Sequence, residues 1–284
     1  MPSSSHIERS RPLLGTFVTI GVRAADAASG HAAIDAAFAE IARVHALMSF
    51  HEAASDVSRA NREAHVRPVS IDQCTHRVIG RALEVSAHSY GAFDITVAPT
   101  LVARGHLPRP QGAPEPAAGV NWRHIELLPG HVFFRKPLWI DLGGIAKGFA
   151  IDAAMHTLAA HAVTDAWVDA GGDIAVAGES RRIALNAPVD DAVPVMDLAN
   201  GCMASSCGSM VSAHISLAAP HVRTTGSTLP EQFVSVVAPS CIDADALTKV
   251  VMALGAKSAP VLAAFDARAV VYAAAQGWQQ IGTA

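Results

Sequence analysis

The segment Trp139-Ile140-Asp141-Leu142-Gly143-Gly144-Ile145-Ala146-Lys147-Gly148-Phe149-Ala150-Ile151-Asp152 constrains this chain more than any other. A short apolar run enters a glycine pair and leaves on helical spacing. Without side chains the pair can turn sharply and bring backbone N–H groups to a helix start. Such a start attracts anions, and Lys147 adds a point charge suited to phosphate. The spacing is neither GxxxxGK[ST] nor GxGxxG, so the common nucleotide loops do not account for it. A plain strand–turn–helix with Lys147 in solvent fits the turn alone equally well. A second pair, Asp169-Ala170-Gly171-Gly172-Asp173, follows one helix later. Two such turns at the ends of adjacent strands would line one cleft; two ordinary tight turns are the plainer alternative.

The flanking pattern sets the fold class. Residues 15–22 read as a strand. From Asp26 to Met48 the apolar residues Ile34, Phe38, Ile41, Val44 and Met48 recur at three- and four-residue steps, which predicts an amphipathic helix. Ser55-Asp56-Val57-Ser58 is a run of capping and turn formers, and a second helix is expected from Asp72 to about His88, ended near Gly91. Pro108, Pro110, Gly112, Pro114 and Pro116 make 103–121 a surface loop or subdomain connection. Strands are expected at 122–128, 132–134, 138–142, 163–168, 174–176 and 233–238, with helices at 145–161 and 244–254. This alternation predicts an α+β (mixed α/β) fold for 1–284 as one domain, and the high alanine and 5% aromatic content disfavours a β-sandwich.

Composition removes several functions. With 51% hydrophobic residues the chain has ample core, so disorder is excluded for the whole. A net charge of −4, with no Lys/Arg run, lacks the footprint of a nucleic-acid binder. The 14 histidines are scattered with no HExxH, and the 4 cysteines form no CxxC, so a zinc hydrolase is not indicated and reduced thiols are expected. No apolar run approaches the roughly 18 residues of a membrane span. No secretory leader is visible, which makes the cytoplasm the default expectation.

Six segments in order resemble one family, the FAD:protein FMN transferases of the ApbE type. Leu14-Gly15-Thr16-Phe17-Val18-Thr19-Ile20 is similar to its opening strand. Met48-Ser49-Phe50-His51 with Ser55-Asp56-Val57-Ser58-Arg59-Ala60-Asn61 is similar to its "MS…S-D/E-V/L-S-R-x-N" loop. Gly91-Ala92-Phe93-Asp94-Ile95-Thr96-Val97-Ala98-Pro99 resembles "GxFDPTVxP". Residues 141–152 resemble "DLGGIAKGYAVD" almost throughout, 169–173 stand where the family has "NAGGD", and Ala244-Asp245-Ala246-Leu247 resembles "ADAL".

The resemblance implies two intimately packed α/β subdomains with an FAD cleft between them. It implies an enzyme that splits FAD and moves FMN onto a Thr or Ser hydroxyl of a flavin-acceptor protein, such as an electron-transfer subunit, releasing AMP. Leu14, Phe50, Ala92, Phe93, Asp94 and Asp141 map to flavin or nucleotide contacts, and Lys147 to the phosphates. The Gly144 carbonyl and the Asp245 carboxylate map to a Mg²⁺ site, with oxygen ligands of the kind this ion takes. From the residues alone, Phe50 and Phe93 are equally core packing, and Asp94 a turn cap.

Two departures stand out. The family's threonine four residues after the aspartate is replaced by Lys249, and Thr248 lies one residue early. Position i+4 shares the face of Asp245, so Lys249 is expected to pair with it and to weaken or replace the metal. The "HxxDPRTG" motif is eroded: His214 and His221 compete for its histidine, with Arg223 near the missing aspartate and Thr225-Gly226 as a remnant. The spacing to the following strand fits His221, expected to bind FAD and take the acceptor proton. Two further activities stay open: a non-catalytic FAD/FMN-binding accessory protein, and an FAD pyrophosphatase giving FMN and AMP.

Overall fold

The computed structural model describes residues 5–185, 187, 193–208, 210–211, 216–217 and 232–282. Strands β1 (Ser5–Leu13) and β2 (Thr16–Ala24) form a hairpin in which Leu13 pairs with Thr16. Leu14 and Gly15 alone make the turn, with φ of 55° and 73°, which two-residue hairpins of matching twist require. Helix α1 (Ala27–Met48) starts where Asp26 accepts from the Ser29 N–H at 2.9 Å and buries Ile34, Phe38, Ile41, Val44 and Met48. Helix α2 (Asp56–Glu63), strand β3 (Val69–Ser70), helix α3 (Gln73–His88) and the short α4 (Ala98–Ala103) follow. The hairpin β4 (Ile125–Leu128) and β5 (His131–Phe134) pairs with β3 in a three-stranded sheet.

Helix α5 (Ala146–Ala160) leads into β6 (Asp165–Ala170) and β7 (Ile174–Ala177), then the separate hairpin β8 (Arg181–Ala184) and β9 (Val195–Leu198). Strand β10 (Gly201–Cys207), the short pair β11 (Met210–Val211) and β12 (Ser216–Leu217), and β13 (Gln232–Ala238) come next. Helices α6 (Cys241–Leu254) and α7 (Ala259–Ala264) precede β14 (Arg268–Ala273) and β15 (Gly277–Ile281). The large sheet has eight strands in the order β1-β2-β6-β7-β10-β13-β14-β15, with antiparallel neighbours throughout. The mixed α/β class expected from the sequence is the one observed.

The main core is continuous from α1, α5 and α6 through the large sheet to β3–β5. A smaller cluster of Ile174, Val176, Leu185, Leu198, Met203, Phe233 and Tyr272 joins β7, β10, β13 and β14 to the β8–β9 hairpin. Cys241–Ala264 is long and apolar enough by composition to cross a membrane, but half of it is buried and Gly255, at φ 56°, interrupts it. It is a core segment.

Several expectations need correction. Residues 138–142 are not a strand: the Asn61 amide takes the place of a neighbouring strand, accepting from Ile140 N–H at 2.8 Å and donating to Ile140 O at 3.0 Å. Asp56–Glu63 form a helix, α2, where the sequence shows a run of capping and turn formers; its cap is Ser55, whose Oγ accepts from Ser58 N–H at 3.0 Å. Residues 122–124 are a 3-10 turn capped by Asn121, and the strand begins at Ile125. Strand β1 was not foreseen. The 103–121 segment is irregular beyond α4, as expected, and is tied down by a 2.8 Å bond from Trp139 Nε1 to Pro114 O.

Candidate functional site

A cleft of about 680 Å³ opens between the β1–β2 turn, the loop after α1, the segment before α4 and the start of α5. That size lies within the range of cofactor-sized sites, roughly 300–1,000 Å³. Leu14, Phe50, Ala92, Phe93, Asp94, Asp141, Gly144 and Lys147, all expected at the site, line it. Phe50 and Phe93 are mostly buried, so they serve the core and the cleft wall together. Asp94 is a cap: Oδ1 accepts from Thr96 N–H at 2.9 Å and Thr96 Oγ1 at 2.8 Å, and Oδ2 from Trp122 N–H at 3.1 Å. Burial raises its pKa against these bonds. Asp141 is lifted by its dry surroundings, partly offset by the Gly143 N–H.

Lys147 and Asp245 come together because α5 and α6 start side by side and cap each other. A Cβ at Gly148 would overlap the Cys241 carbonyl, so only glycine lets the two helix starts meet this closely. Asp152 of α5 accepts from Cys241 N–H at 2.8 Å and Ile242 N–H at 2.9 Å, closing the start of α6. Asp245 of α6 accepts from Gly148 N–H at 3.1 Å through Oδ2, in the first turn of α5. Asp243 forks onto Arg81 of α3 at 2.6 and 2.8 Å and accepts from Ser240 Oγ at 2.6 Å, anchoring α6 from its other side.

Asp245 is fully buried behind the cleft wall. Its Oδ1 is held by the Lys249 ammonium, which also donates to the Asp245 carbonyl at 3.0 Å. Burial pushes the Asp245 pKa up, but Lys249 and Lys147 outweigh it and the carboxyl sits below its ordinary value. Lys147 Nζ lies 3.0 Å from Asp173 Oδ2, near enough for charge attraction though off hydrogen-bond alignment. Burial lowers the Lys147 pKa, while Asp173 and Asp245 raise it above the ordinary lysine value on balance. Asp173 is pushed up to about 6 by burial and by the Asp245 charge.

Both Asp245 carboxylate oxygens are therefore committed to N–H donors. Thr248 turns from the cleft, bonding Ser206 at 2.8 Å and the Asp245 carbonyl at 2.7 Å. A Cβ at Gly144 would stand 3.5 Å from Phe93 Cε2 and 3.6 Å from Lys249 Cε. The Lys249 stem thus packs beside the double-glycine turn, and a divalent ion could reach the buried Asp245 carboxylate only by displacing the ammonium already on it. This donor set does not fit magnesium.

His214, His221, Arg223 and Thr225-Gly226 lie outside the described residues. Sequence reasoning assigned no role to His51, His106, Thr16 and Ser205, which also line the cleft. His51 was in view, three residues after the end of α1. Thr16 lies in the segment that resembles the family's opening strand, and Ser205 in a strand end that reads as backbone architecture; His106 carries no periodicity or spacing signal, because the fold brings it in from a separate loop.

A family model described as the ApbE family matches residues 14–272. The "FAD:protein FMN transferase" of Treponema pallidum is 28% identical over 185 residues, 60% of this chain and 51% of the relative. That of Klebsiella pneumoniae is 25% identical over 285 residues, 91% of this chain and 81% of the relative. The chain thus spans about half the length of the first relative and four-fifths of the second. The structure titled "Flavin Transferase ApbE from Vibrio cholerae" superposes with a TM-score of 0.82 over 98% of this chain and 97% of the other, at 22% identity, a likeness of fold. With the match running from the β1–β2 turn to β14, the chain belongs to the ApbE family.

Proposed function

We propose that this chain transfers the FMN half of FAD to a Thr or Ser hydroxyl of a partner protein and releases AMP. One observation carries the reading. Leu14, Phe50, Phe93, Asp141 and Lys147, far apart in sequence, line one cleft with Asp245 directly behind it. These are the positions at which the family resemblance expects flavin, nucleotide and phosphate. Relatives named as FAD:protein FMN transferases support it.

In this account Phe50 and Phe93 offer apolar faces to the flavin ring, and Asp141 faces the adenine nucleotide. Lys147, beside the Gly143–Gly144 turn at the start of α5, receives the pyrophosphate, where a fixed cation stabilises the charge developing on its oxygens. The acceptor oxygen bonds the FMN-side phosphorus while the bridging P–O bond to AMP breaks. His221 takes the hydroxyl proton, and AMP departs as a phosphate monoester. The phosphate charge is balanced by the chain's own cations, and no step is routed through a metal. The partner is a flavin-acceptor protein, with electron-transfer subunits the class to try first.

The test is incubation with FAD and a target carrying an acceptor threonine, followed by in-gel flavin fluorescence. A fluorescent target band that disappears in His221→Ala is expected. Hydrolysis would give AMP without the band, and an accessory protein would bind FAD and give neither.

A further inference from the structure

We propose that the Lys249 ammonium is the built-in cation of this site, standing on Asp245 where a divalent ion would sit, so that FAD binds without divalent metal. This rests on the FMN-transfer reading. Four observations converge on it. Lys249 donates to both Asp245 Oδ1 and the Asp245 carbonyl, a two-point hold within one helical turn. The other carboxylate oxygen accepts from Gly148 N–H and the whole side chain is buried, so an incoming ion would have to displace the ammonium to reach Asp245. Thr248, the residue that would ligate if the helix were turned by one position, is buried against Ser206. The Lys249 stem runs beside Gly144 and lines the cleft, its side chain 18% exposed.

The chemistry follows from counting donors. An ammonium has three N–H bonds; two are spent on Asp245 and the third is left to point at a phosphate oxygen. A divalent ion at the same carboxylate would face this fixed positive charge at contact distance, a repulsion that the dry surroundings strengthen. Asp245 in turn keeps the lysine charged and aimed, as a carboxylate hydrogen-bonded to a metal-ligating side chain orients that ligand. The site therefore exchanges an ion that must be recruited for one that folding supplies. Specificity for the pyrophosphate then comes from two ammonium groups, Lys147 and Lys249, on neighbouring helices.

The experiment measures FAD affinity by flavin fluorescence in excess chelator and in excess Mg²⁺, and bound Mn²⁺ by electron paramagnetic resonance with and without FAD. Full-length wild type, Asp245→Asn and Lys249→Thr are compared. Wild type should bind FAD equally in both conditions and show no Mn²⁺ that Asp245→Asn removes. Lys249→Thr should lose about tenfold or more in FAD affinity in chelator, recovered by Mg²⁺. Mn²⁺ binding by wild type that Asp245→Asn abolishes, or FAD binding that chelator eliminates, overturns the proposal. The wild-type measurements decide even if a variant fails to fold. Failure to bind FAD under any condition would instead sink the functional reading itself.

Discussion

Asp152 and Asp245 are two buried carboxylates that do the same mechanical job with opposite electrostatics. Each sits on one helix and holds the first turn of the other. Asp152 accepts from backbone N–H groups and a cysteine thiol, and burial, with the nearby Asp243 charge adding to it, pushes its carboxyl up to about 6. Asp245 is more deeply buried, yet Lys249 and Lys147 hold it below its ordinary value. Burial alone would lift both. The difference is where the fold placed its cations, and it placed them at the end of the helix pair that faces the cleft. A carboxylate that only caps a helix needs no lysine; Asp245, behind the cleft wall, has two.

That contrast is open to test, most severely at Asp245. Asp245→Ala strands two lysines and should cut FMN transfer by about 10²–10³-fold or more, the scale of losing a preorganised charge arrangement. Asp152→Ala should do the reverse. It should cost about 2–3 kcal/mol of stability by uncapping α6 and leaving buried N–H groups unpaired, read as a lower urea midpoint, with activity per folded molecule retained. If both variants lose only stability, the functional distinction is wrong. Gly148→Ala drives a methyl into the Cys241 carbonyl and should cost about 1–3 kcal/mol, or more if the helices cannot part.

The smallest effect is in pH. Asp152 binds its proton more tightly folded than unfolded, so between about pH 4 and 6 the native state carries more protons and stability falls as pH rises. Above 6 this contribution is flat. Asp245 has the opposite sign: its stabilisation is present above the unfolded carboxylate pKa and lost as pH falls through its lowered folded value. Urea titrations of wild type and Asp152→Asn across pH 4–7 should therefore differ by a falling slope in wild type. Parallel curves would contradict it.

Helices α1 and α3 were legible because apolar spacing and an aspartate cap, Asp26 or Asp72, agree. Strand β1 was not: it is an edge strand with a largely exposed, polar sequence, paired only through β2. Residues 138–142 carry a strand composition, but their partner is a side-chain amide 79 positions away, which no local pattern discloses. At the site, the pairing of Lys249 with Asp245 follows directly from four-residue helical spacing. The reciprocal caps do not, because Asp152 and Gly148 meet α6 only after the sheet brings β6, β7 and β10 between them. The motif around Asp56 shows the same limit: Asp56 accepts from Asp72 N–H at 2.8 Å and Thr75 Oγ1 at 2.6 Å, so part of that segment builds scaffold.

The proposed function couples cleavage of FAD in this cleft to flavinylation of another protein. Its most direct measurement is the ratio of AMP released to FMN covalently attached, read by chromatography and intact-protein mass on one reaction. One AMP is expected for each FMN-bearing acceptor, with the mass gain confined to the acceptor. AMP accumulating without a mass gain, or flavin bound with no AMP formed, would contradict it.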